Sequence, residues 1–252
     1  MSLEAEFLTA LSDFNENNWN GDALTAKAIS VMDLTLLEEQ ASRTEIQALC
    51  EKANFSQVAA ICIFPHHLSF LNATNPVKVA TVINFPGGNS EIQEVFTSLD
   101  EVLNQAKIDE IDYVFPYQAY LEGHQQLALS HCLQVYKYCQ QQQLTLKVIL
   151  ETGAWPNLES LHLVCAKLIE QGCDFLKTST GKTGKGATPS AAFAILKAIK
   201  ESNSNCGFKV SGGIRQPEQA FTYMRMAEWV IGRTLDKSWF RIGASSLLDK
   251  LI

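Results

Sequence analysis

Short apolar runs alternate with longer amphipathic stretches along most of the chain. The runs cover residues 28–32, 58–64, 77–85, 111–115, 144–150, 175–179, 208–211 and, more weakly, 240–244. They are rich in Val, Ile and Phe and are bounded by Gly, Pro, Asn or Asp, the pattern of buried strands. Between them the spacing predicts helices over 38–53, 67–73 (short), 90–105, 125–142, 158–171, 190–200 and 217–229, with 245–251 closing the chain. Residues 1–26 read as a helical extension with a polar break at 15–18. Strands alternating with helices imply a parallel sheet, and eight strands favour closure into a (β/α)8 barrel, the TIM-barrel architecture. No linker-like or repeated stretch interrupts the pattern, so residues 1–252 are expected to form a single barrel domain, with 1–26 as its N-terminal helical extension.

The 252 residues suit such a barrel, which typically takes about 250. The net charge of −7 argues against nucleic acid as the main partner, which a basic surface would serve. The start of the chain lacks a basic, apolar leader, and no apolar run approaches the ~18 residues of a membrane span. Seven scattered cysteines, with no Cys-x-x-Cys, point to reduced thiols and a cytoplasmic setting. His66-His67 and His131-Cys132 lack the spacing of a metal site.

Alternation within the strands then locates the charge. Side chains at alternate positions of a barrel strand face inward. Ile111, Tyr113 and Phe115 share the outer face of their strand, which sends Asp112 inward. Leu146, Val148 and Leu150 do the same, which sends Lys147 and Glu151 inward. Lys177 lies on one face with Phe175 and Ser179, Lys209 on one face with Ser211, and Asp33 at the end of the first strand. Barrel interiors are normally filled with branched apolar side chains. Five charged residues on five strands are better explained by an active site at the C-terminal mouth.

A lysine forced to be neutral near pH 7 is a nucleophile able to form a Schiff base with a carbonyl. Lys177 and Lys209 fall on consecutive strands. Two ammonium groups about 5–6 Å apart repel by roughly 3 kcal/mol at an effective dielectric of ~20, a depression of about two pKa units. Partial desolvation would carry one lysine to about 7–8. Parity does not decide which of the two is the nucleophile.

Three glycine- or serine-bearing stretches follow the last three inferred strands: Thr180-Gly181-Lys182, Gly212-Gly213 and Gly243-Ala244-Ser245-Ser246. Glycine lets backbone N–H groups approach an anion, and a helix opening at Ser245-Ser246 would add positive potential. Lys182 is a candidate counter-charge. Gly181-Lys182-Thr183 also looks like the end of a nucleotide-binding P-loop, but that motif needs glycine at position 176, which is Leu176.

Taken in order, Met32-Asp33-Leu34-Thr35, the run 60–65, the run 80–88, the run 110–116, the run 146–152, the run 175–182, the run 209–215 and the run 240–248 resemble the 2-deoxyribose-5-phosphate aldolases. These are class I, Schiff-base-forming enzymes. The resemblance runs from about residue 28 to the end. It implies a (β/α)8 barrel with no metal or organic cofactor. It implies reversible cleavage of 2-deoxy-D-ribose 5-phosphate to acetaldehyde and D-glyceraldehyde 3-phosphate, within deoxyribose phosphate catabolism. By match of motifs, Lys177 is the Schiff-base lysine, Lys209 the lysine that tunes it, and Asp112 the acid/base group acting through water. Lys147 would orient Asp112 or the relay, while Asp33, Thr35 and Cys62 would line the sugar site. Its expected partners are small phosphosugars and aldehydes, with a homodimer suggested by the family. Some members carry a longer tail ending in a tyrosine implicated in protonating the enamine. This sequence ends at Leu251-Ile252, so another group is expected to move that proton, or that step to be slower.

Overall fold

The structure, a computed structural model, describes residues 2–15, 21–72 and 77–252. Eight parallel strands close into a barrel in sequence order: β1 (Met32–Leu36), β2 (Ala60–Ile63), β3 (Lys78–Ile83), β4 (Glu110–Val114), β5 (Thr145–Ile149), β6 (Phe175–Lys177), β7 (Gly207–Ser211) and β8 (Phe240–Ala244). The (β/α)8 reading therefore holds. Around it lie α1 (Leu3–Asn15), α2 (Gly21–Ser30), α3 (Arg43–Ser56), α4 (Ile92–Gln105), α5 (Tyr117–Leu121), α6 (Gln125–Gln141), α7 (Leu158–Glu170), α8 (Pro189–Ser202) and α9 (Pro217–Ile231). Among the described residues no helix is long and apolar enough to cross a membrane.

The helices bury one stripe each. In α4, Val95, Leu99 and Val102 recur at helical spacing and are buried against the barrel. Helix α8 is buried on more sides, with Ala191–Leu196 all inaccessible or nearly so. Helix α1 is the reason. Phe7 packs on Phe193 with ring centroids 5.7 Å apart, Glu6 pairs with Lys197, and the Leu3 backbone N–H donates to Glu159 of α7 at 3.0 Å.

Several sequence expectations need correction. Residues 28–30 belong to α2, not to a strand, and β1 begins at Met32. Asp33 is thus the second residue of β1 rather than its end. The first outer helix starts at Arg43, because Ser42 caps it: its hydroxyl accepts from the Glu45 N–H at 3.3 Å, while Glu45 accepts from the Ser42 N–H at 2.8 Å. The short helix expected over 67–73 is a 3-10 turn, Pro65–Phe70, and position 73 lies outside the described residues. Residues 16–18 of the polar break also lie outside them. The closing helix expected over 245–251 is a single 3-10 turn, Leu248–Lys250. Helix α5 and a 3-10 turn at Thr152–Ala154 follow strand ends where no helix was predicted.

Strand register aligns the interior. Lys177 of β6 is the register partner of Lys209 of β7, which is the partner of Arg241 of β8. Asp112 of β4 is the partner of Lys147 of β5. At the N-terminal end Phe175 closes the interior. Its ring occupies the space a Cβ on Gly207 would need, only 2.4 Å away, and the Arg241 guanidinium stands 5.7 Å over it.

Candidate active site

The inward faces of the strands hold a continuous charged cluster. Lys177 donates to Asp112 Oδ2 at 2.6 Å. Lys209 donates to the same oxygen at 2.7 Å, and Lys147 to Asp112 Oδ1 at 2.9 Å. Asp112 therefore carries three ammonium partners. Deeper in the barrel, Lys209 Nζ meets Asp33 Oδ2 at 2.6 Å, and Lys147 Nζ meets Glu110 Oε2 at 2.5 Å. Arg241 clamps both of those carboxylates: Nη1 lies 2.6 Å from Asp33 Oδ1 and Nη2 lies 2.9 Å from Glu110 Oε1. All seven residues are buried, with Lys177 at 3% exposure and Lys209 at 0%. Lys177 is thus the lysine on the pocket side of the cluster.

The three lysines differ in what surrounds them. Burial lowers the Lys177 pKa, Asp112 opposes that, and Lys209 lowers it further. Burial also acts against charge on Lys209, but Asp112 and Asp33 together outweigh it and raise its pKa above the ordinary value. Burial is likewise outweighed at Lys147, by Asp112 and Glu110, and its pKa is raised. Geometry thus separates the two lysines that strand parity left equivalent: Lys177 has one carboxylate partner, Lys209 two. The cause also differs from the one expected from the sequence. Desolvation leads and repulsion from Lys209 follows, because the Asp112 carboxylate stands between the two ammonium groups. Burial would raise the Asp112 pKa, but Lys147, Lys177 and Lys209 hold it well below the usual carboxylate range. Burial also opposes ionisation of Glu110, yet Lys147 and Arg241 lower its pKa. Asp33 is lowered too: burial raises it, and Lys209, Arg241 and Lys147 overcome that. The Cys62 thiol, 3.9 Å from Asp112 Oδ2, is pushed up to about 11 by burial and then by Asp112. At neutral pH it therefore stays a protonated thiol beside the cluster.

Above Lys177 opens a cavity of about 210 Å³. Thr35, Thr180, Gly181, Lys182, Gly212, Gly213 and Ser245 line it, all expected from the sequence, and Arg215 joins them. Gly212 and Gly213 have φ of 95° and 84°, backbone that side-chain-bearing residues rarely adopt. Gly181, at φ 77°, turns the β6 loop across the mouth. Ser246 is exposed and does not line the cavity. Only a 3-10 turn follows Ser245-Ser246, so no α-helix N-terminus contributes there. The Lys182 ammonium is already held by the Leu37 carbonyl and lies 3.7 Å from Glu38. As a counter-charge for an anion it would have to leave those partners.

Glu151 shapes this mouth. It sits in the left-handed region at φ 49° and ψ 64° and is buried. Its Oε2 accepts from the Thr180 N–H at 3.2 Å and from the Thr180 hydroxyl. Its Oε1 accepts from the Thr183 hydroxyl at 3.1 Å. One carboxylate therefore ties the β5 end to the loop carrying Thr180, Gly181 and Lys182.

Asp33, Cys62, Asp112, Lys147, Lys177 and Lys209 do converge, but along the barrel axis rather than at the mouth alone. Thr35 joins them at the cavity wall, its hydroxyl donating to the Asp33 carbonyl at 2.9 Å. Sequence reasoning missed Glu110, Arg241 and Arg215 as site residues. Glu110 stands two positions before Asp112 and so shares its face. Arg241 alternates with Phe240 and Ile242. Strand parity extended one residue earlier on β4, and applied at all to β8, would have found both. Among the described residues no group of His, Cys, Asp and Glu side chains is arranged to hold a metal ion.

Comparison with known proteins gives the family. Residues 27–249 match the DeoC/LacD family aldolase. A deoxyribose-phosphate aldolase of Agrobacterium fabrum is 36% identical over 234 residues, covering 90% of each chain. Among solved structures, an aldolase named QR15 superposes with a TM-score of 0.74 at 26% identity, over 89% of this chain and 94% of that one. The tetrameric deoxyribose phosphate aldolase of Aeropyrum pernix superposes with a TM-score of 0.77 at 24% identity, over 96% and 94%.

Proposed function

Because the chain belongs to the DeoC/LacD family of aldolases, we propose that it reversibly cleaves 2-deoxy-D-ribose 5-phosphate to acetaldehyde and D-glyceraldehyde 3-phosphate, with Lys177 forming the Schiff base. The observation that supports this most directly is the placement of Lys177. It is the lysine of the axial cluster that lines the cavity, and its pKa is the lowered one.

The free amine of Lys177 adds to C1 of the open-chain sugar, and loss of water leaves a protonated imine. Products of two and three carbons require the C2–C3 bond to break. The hydroxyl on C3 must therefore lose its proton, while the electrons of that bond flow into the imine as an enamine. Asp112, within 2.6 Å of Lys177 Nζ, is the carboxylate placed to take that proton through a water. The Lys147 and Lys209 ammonium groups keep it ionised and make it a weak base on its own, so the transfer relies on fixed position and on the developing imine as electron sink. Protonation of the enamine and hydrolysis of the imine release acetaldehyde and restore Lys177.

The phosphate is assigned to the cavity rim. Backbone N–H groups of the Gly212-Gly213 turn and the Gly181 turn, with the Ser245 hydroxyl, supply short-range donors. Arg215 supplies charge, and Lys182 joins once drawn from Leu37. Asp33, Lys147, Thr35 and Cys62 support or wall the sugar site. We also propose a cytoplasmic homodimer. The tetrameric relative makes molar mass by light scattering the measurement that decides the assembly.

The test is to incubate the protein with acetaldehyde, reduce with borohydride and map the modified peptide. A two-carbon adduct on Lys177 is expected. An adduct confined to surface lysines, or none, overturns the assignment.

A further inference from the structure

The buried axis has an uneven charge count. Lys147, Lys177, Lys209 and Arg241 face Asp33, Glu110 and Asp112, four cations against three carboxylates. The half-exposed Lys78 reaches Glu110 at 3.1 Å from the solvent side, where water screens it. The contacts are not shared equally. Lys147 and Lys209 each bridge two carboxylates at 2.9 Å or less, and Arg241 forks between Asp33 and Glu110. Lys177 alone rests on a single carboxylate. An excess buried cation is costly and is relieved by losing a proton. The lysine with the fewest partners is where that loss costs least.

We infer that Glu110 and Arg241, which do not touch Lys177, are positioning residues that set the charge balance of the barrel axis, so that Lys177 rather than Lys147 or Lys209 becomes the neutral amine. The inference rests on the aldolase reading for the purpose of that amine, but not for its titration. With Lys177 neutral, three cations balance three carboxylates. The groups facing Lys177 are all part of this balance or neutral within it: Asp33 on β1, Cys62 on β2, Glu110 and Asp112 on β4, Lys147 on β5, Lys209 on β7 and Arg241 on β8. β3 places no titratable side chain beside it. In the loops above it, Glu151 is committed to Thr180 and Thr183, Lys182 to Leu37 and Glu38, and Arg215 faces the open cavity from the loop after β7.

The effect has a sign. Removing Arg241 leaves three lysines against three carboxylates, so Lys177 keeps its proton to higher pH. Removing the charge of Glu110 enlarges the excess, so Lys177 loses its proton at lower pH. Lys177 and Arg241 are two register steps apart, about 10 Å. A unit charge at that distance, at an effective dielectric of about 20, corresponds to a shift of about one pH unit.

The experiment uses the full chain and needs no turnover. Reductive methylation with formaldehyde and cyanoborohydride is followed at Lys177 by peptide mass spectrometry across pH, giving the titration midpoint of that amine. Arg241→Gln is expected to raise the midpoint by about one unit, Glu110→Gln to lower it, and Arg241→Lys to restore the parent value. The double variant Glu110→Gln/Arg241→Gln keeps the charge balance and is expected to return close to the parent. If Arg241→Gln does not fold, Glu110→Gln against the double variant makes the same comparison. Midpoints that do not move, or that move in the same direction in both single variants, overturn the inference. Failure of the sugar-cleavage reading shows separately, as a protein that titrates as described but gives no acetaldehyde adduct.

Discussion

Asp112 accepts from three lysine side chains inside the barrel, and that fixes what its loss would do. Asp112→Asn leaves Lys147, Lys177 and Lys209 facing one another with a neutral amide between them. Breaking one partner out of a buried ion cluster typically costs about 3–5 kcal/mol. Denaturant unfolding is expected to show a loss of that size, along with a large fall in sugar cleavage; an unchanged unfolding midpoint would argue against the cluster. The same cluster gives an acid dependence. Asp33, Glu110 and Asp112 all have pKa values lowered by folding. A lowered carboxylate contributes stability that is fully present above its unfolded pKa of about 4 and is lost as pH falls toward the folded value. The thermal midpoint is thus expected to fall steeply below about pH 4, and a flat profile down to pH 3 would contradict it. Most of this cluster was legible in the sequence, because a charged residue between two apolar ones on a strand must face inward. Glu110 and Arg241 were missed only because the alternation was not carried to the first residue of β4 or onto β8. Nor could the sequence give the order of the contacts, which depends on how eight strands stagger.

At the scale of elements, the loops after β6 and β7 depend on each other more than on their own sequences. Gly186 packs against the Gly212 backbone so closely that a Cβ would stand 2.3 Å from the Gly212 carbonyl oxygen, while the Ala187 N–H donates to that same oxygen at 3.0 Å. Gly186→Ala must therefore displace the Gly212-Gly213 turn. KM for the phosphorylated substrate is expected to rise about tenfold or more, the equivalent of roughly 1.4 kcal/mol of lost binding, with a smaller change in kcat. Equal losses in kcat and kcat/KM would place the defect at Lys177 instead. The glycines of these loops were visible in the sequence as turn formers. Their contact with one another was not, since it joins residues far apart in the chain. The helix expected after Ser245 failed for a related reason. Leu247 and Leu248 are buried as a plug rather than as one face of a helix, and a run that short fits either pattern. The misplaced first strand has the same origin: Ala28 is apolar because α2 buries it, whereas Val31, just before β1, is buried with its carbonyl accepting from the Ile242 N–H of β8 at 3.0 Å.

At the scale of the whole molecule, α1 shows that the barrel's outer layer is not finished by its own eight repeats. Phe7 contributes the ring that covers Phe193 of α8. Phe7→Ala is expected to cost about 3 kcal/mol of stability by calorimetry or denaturant titration, with kcat and KM unchanged because α1 lies outside the barrel wall. A loss of activity in protein that remains folded would assign α1 a role beyond packing. The helical character of this segment was legible, but not what it covers, since its partner helix is nearly two hundred positions away. The axial ion cluster has one more consequence, for how such a molecule can change over generations. Each of its side chains is held by partners on other strands, so replacing one carboxylate strands cations that the rest cannot neutralise. Change along the axis is expected to come in compensating pairs, an acid lost together with a base. A descendant that abandoned the chemistry would keep the charges long after the reaction had gone.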